Sequence, residues 1–204
     1  MKQFSPVFVN LSNKKIVIIG GGQVALRRLK GLLPYHQQIT VVSPAVTDEL
    51  DQLIQDHQID WRKEKCELRH FENADFIVIA TNKEAVNQYI VDHAPSHAWI
   101  NASHRSEDGN VQFPITLTRG KLQIAISTGG ASPILAKKIK RAIEQEIPDQ
   151  YEQYVDFLYQ ARTLLIQQEL TPQLKKQLLA QLIEEPIYDK DEQQAWLHKQ
   201  SNRT

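Results

Sequence analysis

The chain is 204 residues long, with 24 basic and 24 acidic side chains and a formal net charge of zero, so its overall field selects neither nucleic acid nor a basic partner. No run of about eighteen apolar residues occurs, which argues against a membrane-spanning helix, and the opening MKQFSPVFVN lacks the apolar stretch of a signal peptide. A single cysteine, Cys66, leaves no internal disulfide, and the length suits one ordinary domain plus a smaller one, as expected of a soluble cytoplasmic protein.

Residues 4–11, FSPVFVNL, read as an apolar entry segment that covers a sheet. Ile16 to Ile19 is an uninterrupted apolar run, the mark of a strand buried on both faces. Gly20, Gly21 and Gly22 follow as a turn, and Gln23, Val24 and the residues to Lys30 lead into a helix that Pro34 ends. The spacing Gly20, Gly22, Ala25 is the G-x-G-x-x-A form of the dinucleotide fingerprint. Gly20 permits the tight turn, Gly22 leaves room for a pyrophosphate beside the backbone, and Ala25 lets helix and strand lie close. The free N–H groups and positive dipole end of the helix complete an anion site.

Ile39 to Val42 is a second buried strand, and the alternation of strand and helix predicts an α/β fold with a parallel sheet. That strand runs into Ser43-Pro44-Ala45, where dinucleotide enzymes usually carry an acidic residue for the ribose. Ser43 offers a hydroxyl instead. No arginine follows at once to hold a 2′-phosphate, which favours NAD over NADP. Thr47 to His57 reads as a helix with Thr47 as its N-cap, and Ile59 to Trp61 as a short strand. Phe76 to Ala80 is a third strong strand, stopping at Thr81-Asn82 on the edge where open α/β sheets bind ligands. Glu84 to His93 reads as a helix and Trp99 to Asn101 as a fourth strong strand, entering a polar loop at 102–110.

The pattern then changes. Val111 to Leu117 and Leu122 to Ser127 read as two strands joined at Arg119-Gly120-Lys121. Ser132-Pro133 opens a helix that ends before Pro148, and the chain from Tyr151 onward is helical, broken at Thr171-Pro172 and at Pro186. Cys66 and His70 are four apart, a spacing that chelates only if both lie on a helix, and no further ligand stands near them, so no metal site is expected.

Three stretches then carry a resemblance to a known family. GGGQVALRR is similar to that family's G-G-G-x-V-A-x-R-K, IVIATN matches its third strand, and RGKLQIAISTGGASPILAKKIK resembles its central motif. The family is precorrin-2 dehydrogenase, including the bifunctional dehydrogenase/ferrochelatases of sirohaem synthesis. The resemblance implies an NAD-binding Rossmann domain with a parallel sheet (residues 1–113), a small α+β dimerisation region (114–148) and a C-terminal helical domain (149–204). It implies NAD-dependent oxidation of precorrin-2 to sirohydrochlorin by a homodimer, with Fe²⁺ insertion following in some relatives. The cofactor-binding residues would be Gly20, Gly21, Gly22, Gln23, Val24, Ser43, Pro44, Ala45, Thr81 and Asn82. A polycarboxylate ring calls for cations, and Arg105, Arg119, Lys121, Lys137, Lys138, Lys140 and Arg141 are available, each also readable as a solvated surface charge.

One departure matters. Many relatives place an aspartate where this chain has His104, within Asn101-Ala102-Ser103-His104. Asp108 ranks first as the replacement base, because it keeps the carboxylate chemistry, although its place before Gly109-Asn110 also suits a turn. His104 ranks second, since it titrates near neutral pH. Ser127, in the central motif, is a third candidate or a hydroxyl capping its own turn. Losing the aspartate weakens iron insertion more than hydride transfer. The rival from another class is a non-catalytic sensor of NAD or tetrapyrrole on the same scaffold.

Overall fold

The apolar runs become the strands of one parallel sheet: β1 (Ile16–Ile19), β2 (Ile39–Val42), β3 (Asp60–Arg62), β4 (Phe76–Ile79) and β5 (Trp99–Ala102), in the order β3-β2-β1-β4-β5. The structure is a computed structural model that describes residues 4–35, 38–103 and 105–202. In it the chain divides into two compact units, Met1–Phe113 and Pro114–Thr204. Helices α1 (Gln23–Leu32), α2 (Asp48–Asp56) and α3 (Glu84–His93) link the strands of the first unit.

The sheet is buried on both faces, which is why β1 and β4 are apolar at every position. Ile16 and Ile18 pack with Ala25, Leu26 and Leu29 of α1 and with Leu50 and Ile54 of α2. Val17 and Ile19 face the other way, with Phe71 and with Ile90 of α3. Each such side chain contributes about 1.5–3 kcal/mol by leaving water. The register sets Ile19 opposite both Val42 and Ile79, Val42 opposite Arg62, and Ile79 opposite Ala102. All five strands therefore end at one level, and the residues that follow them form a single carboxyl edge.

Two local expectations are corrected. The entry segment does not cover the sheet: Val7 is 71% exposed and Phe8 70%, and only Leu11 joins the core, because helices already occupy both faces. Thr47 stands at the N-cap of α2, but its hydroxyl makes no capping bond. Its backbone N–H is held by the Gly21 carbonyl at 2.9 Å, and the hydroxyl lies buried without a partner among the described residues. Cys66 precedes a short 3₁₀ turn, Leu68–His70, rather than lying on a longer helix. His70 Nδ1 accepts from the Glu67 N–H at 2.9 Å and Nε2 faces Glu64 at 2.9 Å, so neither ring nitrogen is left for a metal. Burial, aided by the Glu67 charge, pushes the Cys66 thiol up to about 11.

In the second unit β6 (Ile115–Arg119) and β7 (Leu122–Ile126) form an antiparallel hairpin around Gly120, whose φ is +55°. β6 begins later than its sequence suggests. Val111 and Phe113 pack against the core of the first unit, and Asn101 donates to the Val111 carbonyl, so those residues belong to the sheet before them. Helix α4 (Pro133–Glu146) follows, its first turn capped by Ser132, which accepts from the Leu135 N–H at 3.1 Å. Helices α5 (Tyr151–Gln167), α6 (Pro172–Glu184) and α7 (Lys190–Ser201) close a separate small core around Tyr154, Phe157, Ala161 and Leu182. Among the described residues no helix is long and apolar enough to cross a membrane.

Candidate functional site

The three glycines after β1 differ in what encloses them. Gly20 has φ +133°, and a Cβ there would lie 2.3 Å from the Ala80 carbonyl oxygen. A Cβ on Gly21 would lie 2.0 Å from the Ala45 carbonyl oxygen and 2.7 Å from Ser43 Oγ. Both glycines are required by the protein's own packing, which draws the ends of β1, β2 and β4 together. A Cβ on Gly22 would meet no atom within 4 Å. Nothing inside the protein needs glycine there, and the space beside it is open.

That space faces the N-terminus of α1. Gly22 is the N-cap and brings no side chain to the helix end. The first bond into the helix runs from Leu26 N to Gly22 O at 3.0 Å, so the N–H groups of Gln23, Val24 and Ala25 precede it. The first turn of α1 carries no acid, whereas α2 begins with Asp48, Glu49 and Asp51, and α3 with Glu84. Of the three, only α1 presents an uncompensated positive end. An anionic group fits this opening, and the pyrophosphate of a dinucleotide is such a group.

The neighbouring residues are fixed by hydrogen bonds. Ser43 is 8% exposed, and its hydroxyl donates to the Ala45 carbonyl at 2.7 Å, which closes the turn beyond β2 and leaves only the acceptor lone pairs for another donor. Pro44 and Ala45 are exposed beside it. Gln23 reaches across to Glu49 at 3.3 Å. Thr81 Oγ1 donates to Asn87 Oδ1 at 2.8 Å and accepts from the Lys83 N–H at 2.9 Å, while Asn87 Nδ2 donates back to the Thr81 carbonyl at 3.2 Å. Asn87 is 2% exposed, a polar residue on the apolar face of α3 that locks the loop after β4. Sequence reading passed over it. An asparagine between Val86 and Ile90 in an otherwise apolar stripe was the available signal. Asn82, next to Thr81, is exposed.

Sequence gathers Gly20, Gly21, Gly22, Gln23, Val24, Ser43, Pro44, Ala45, Thr81 and Asn82 from three separate stretches, and the structure sets those stretches along one edge. Asp108 lies on another part of the same unit, in a 3₁₀ turn (Ser106–Asp108) beyond β5. Its carboxylate is 3.8 Å from Arg105 Nε, and Arg105 also meets Glu84 at 3.0 Å. Gly109 packs so closely that a Cβ would fall 2.6 Å from the Ile100 carbonyl oxygen, which holds the loop against its strand. His104 lies outside the described residues. Ser127 belongs to the second unit, where its hydroxyl accepts from the Gly129 N–H at 3.2 Å, the turn-capping arrangement.

The candidate cations divide. Arg119 pairs with Asp149 at 3.0 Å, Lys121 with Asp156 at 2.9 Å and Lys140 with Glu144 at 3.4 Å. Lys137, Lys138 and Arg141 are exposed along α4. Among the described residues no group of three or more His, Cys, Asp or Glu side chains could hold a metal ion.

Comparison with known proteins covers nearly the whole chain. Residues 7–115 match a family described as "Putative NAD(P)-binding", residues 119–146 one described as "Sirohaem biosynthesis protein central", and residues 151–196 the "SirC C-terminal domain". A precorrin-2 dehydrogenase of Priestia megaterium is 36% identical over 179 residues, which is 88% of this chain and 89% of that one. A precorrin-2 dehydrogenase of Bacillus subtilis (strain 168) is 38% identical over 157 residues, covering 77% of this chain and 97% of its own. A solved structure, SirC, a precorrin-2 dehydrogenase, superposes with a TM-score of 0.84 at 33% identity, over 97% of this chain and 98% of its own.

Proposed function

The chain belongs to the precorrin-2 dehydrogenase family, and from that premise we propose that it oxidises precorrin-2 to sirohydrochlorin with a nicotinamide dinucleotide, a step towards sirohaem. The observation that carries the reading is the open space at Gly22 before an uncapped, acid-free helix end, beside two glycines whose own space is filled. When bound, the dinucleotide supplies the hydride acceptor. The N–H groups at the start of α1 hold its pyrophosphate. Ser43, Pro44 and Ala45 border the adenosine ribose, and Thr81, held by Asn87, borders the site with Asn82. The proton that leaves the ring passes to Asp108 or, second in rank, to His104.

NAD is placed ahead of NADP, because Ser43-Pro44-Ala45 brings no cation to a 2′-phosphate. A homodimer is part of the proposal. Ile134, Leu135 and Ile139 of α4 are 81%, 47% and 36% exposed, an apolar surface that a second copy would bury. Fe²⁺ insertion is not assigned to this chain, since His104 replaces the aspartate expected to serve it.

Anaerobic incubation of the purified chain with precorrin-2 and NAD tests the reading. The expected result is sirohydrochlorin and NADH in equal amounts, followed by absorbance, with no sirohaem when Fe²⁺ is added. The species that reacts should have twice the chain mass by light scattering. Unchanged precorrin-2 in the presence of a folded, dinucleotide-bound protein would overturn the assigned substrate.

A further inference from the structure

The residue that follows each strand sits on the carboxyl edge, and the register places Lys63 there, one strand beyond Ser43. Adjacent strands lie about 4.8 Å apart. Three contacts tie Lys63 to the turn assigned to the ribose. Ser43 N donates to the Arg62 carbonyl at 3.1 Å. Trp61 Nε1 donates to the Ser43 carbonyl at 2.9 Å. Lys63 Nζ lies 5.1 Å from the centre of that same Trp61 ring. The indole thus bridges the ammonium and the Ser43 backbone, and a cation–π contact holds the ammonium near the ribose turn.

The two charges flanking Lys63 are committed. Arg62, directly before Lys63, turns back to Asp60 at 3.0 Å. Glu64, directly after it, is held by Arg69 at 2.6 Å and by His70 at 2.9 Å. Lys63 itself makes no ion pair among the described residues. The turn Ser43 to Thr47 contains no carboxylate, so it lacks the acidic residue that usually holds a ribose hydroxyl and would repel a phosphate there.

We infer that Lys63 is the cofactor-specificity residue of this edge, a cation placed to hold the 2′-phosphate of NADP, so that the chain accepts NADP as a second cofactor beside NAD. The inference rests on the dinucleotide reading of the edge. The residues that follow β2 in sequence supply no cation to a 2′-phosphate. The cation comes instead from the neighbouring strand. Lys63 is exposed, so its pairing with a phosphate is screened by salt.

Calorimetric titration of NAD, NADP and 2′,5′-ADP into the wild type, Lys63→Ala, Lys63→Glu and Lys63→Arg tests this, with the kcat/KM ratio for the two cofactors as a second readout. Removal of the charge should weaken NADP and 2′,5′-ADP by about ten-fold, the scale of one charge-assisted contact, and Lys63→Glu should weaken them further. Lys63→Arg should keep NADP binding, and NADP affinity should fall with added salt more steeply than NAD affinity. Equal losses for NAD and NADP, or NADP binding indifferent to all three substitutions, would overturn the role of Lys63 while leaving the dinucleotide site intact. A folded wild type that binds none of the three ligands would overturn both readings.

Discussion

A Cβ on Gly21 would collide with the Ala45 carbonyl, whereas one on Gly22 would enter empty space. Two adjacent glycines should therefore fail in opposite ways. Gly21→Ala should cost stability, about 1–3 kcal/mol for an overpacked site or more, visible as a lower urea midpoint. Gly22→Asp should leave the fold intact, because φ at Gly22 is −98° and an N-cap aspartate suits a helix better than glycine by a few tenths of a kcal/mol. Its carboxylate would fill the pyrophosphate space with like charge, so NAD affinity should fall by about ten-fold or more. Unchanged NAD affinity in folded Gly22→Asp would remove this turn from the binding site. Asp108 makes a second contrast. If it takes the ring proton, Asp108→Ala should slow precorrin-2 oxidation by about 10² with NAD affinity retained, and His104→Ala should do less. Full activity in Asp108→Ala with loss in His104→Ala would transfer the role to His104. Gly20, Gly21 and Gly22 were legible as a turn because glycine spacing is a local signal. Which of them serves packing and which leaves room became visible only with Ala45 and Ala80 in place.

At the scale of elements, the sheet is tied together at its amino edge as well. Asp75 accepts from the Lys15 N–H at 2.8 Å, and its own carbonyl accepts from Trp99 N at 2.8 Å, so one residue aligns the starts of β1, β4 and β5. The Lys15 N–H bond, against the opposing effect of burial and with help from the Lys14 ammonium, holds the Asp75 carboxyl below its ordinary range. A carboxyl with a lowered folded pKa stabilises the fold above its unfolded pKa, and that contribution is lost as pH falls through the folded value. Asp75→Asn should therefore be less stable than wild type at neutral pH, with the difference shrinking in acid. Urea unfolding at a series of pH values checks this, and a difference independent of pH would point to lost packing instead. At the same edge Phe113 stacks on Phe76, the first residue of β4, at 5.6 Å, and Arg28 lies over the Phe113 ring at 4.4 Å. Burial first, and then Arg27, brings the Arg28 guanidinium down to about 10. This stack explains why Phe113 belongs to the sheet rather than to the hairpin that follows.

For the molecule as a whole, sequence alone determined the strand–turn–helix succession, the glycine turn, the change of pattern after residue 110 and the helical C-terminal third. These rest on periodicity, caps and turn residues, which act between positions a few residues apart. It could not fix the strand order β3-β2-β1-β4-β5, the pairing of Thr81 with Asn87 or the exposure of residues 4–10. Nor could it place Lys63 beside Ser43, through a tryptophan 18 residues from that serine along the chain. Each of these depends on which surfaces are left to bury once α1, α2 and α3 have covered the sheet. Parallel strands need long crossovers, so neighbours on the carboxyl edge are remote in sequence and carry no local signal of one another. The register that makes them neighbours is decided by the packing of both faces at once.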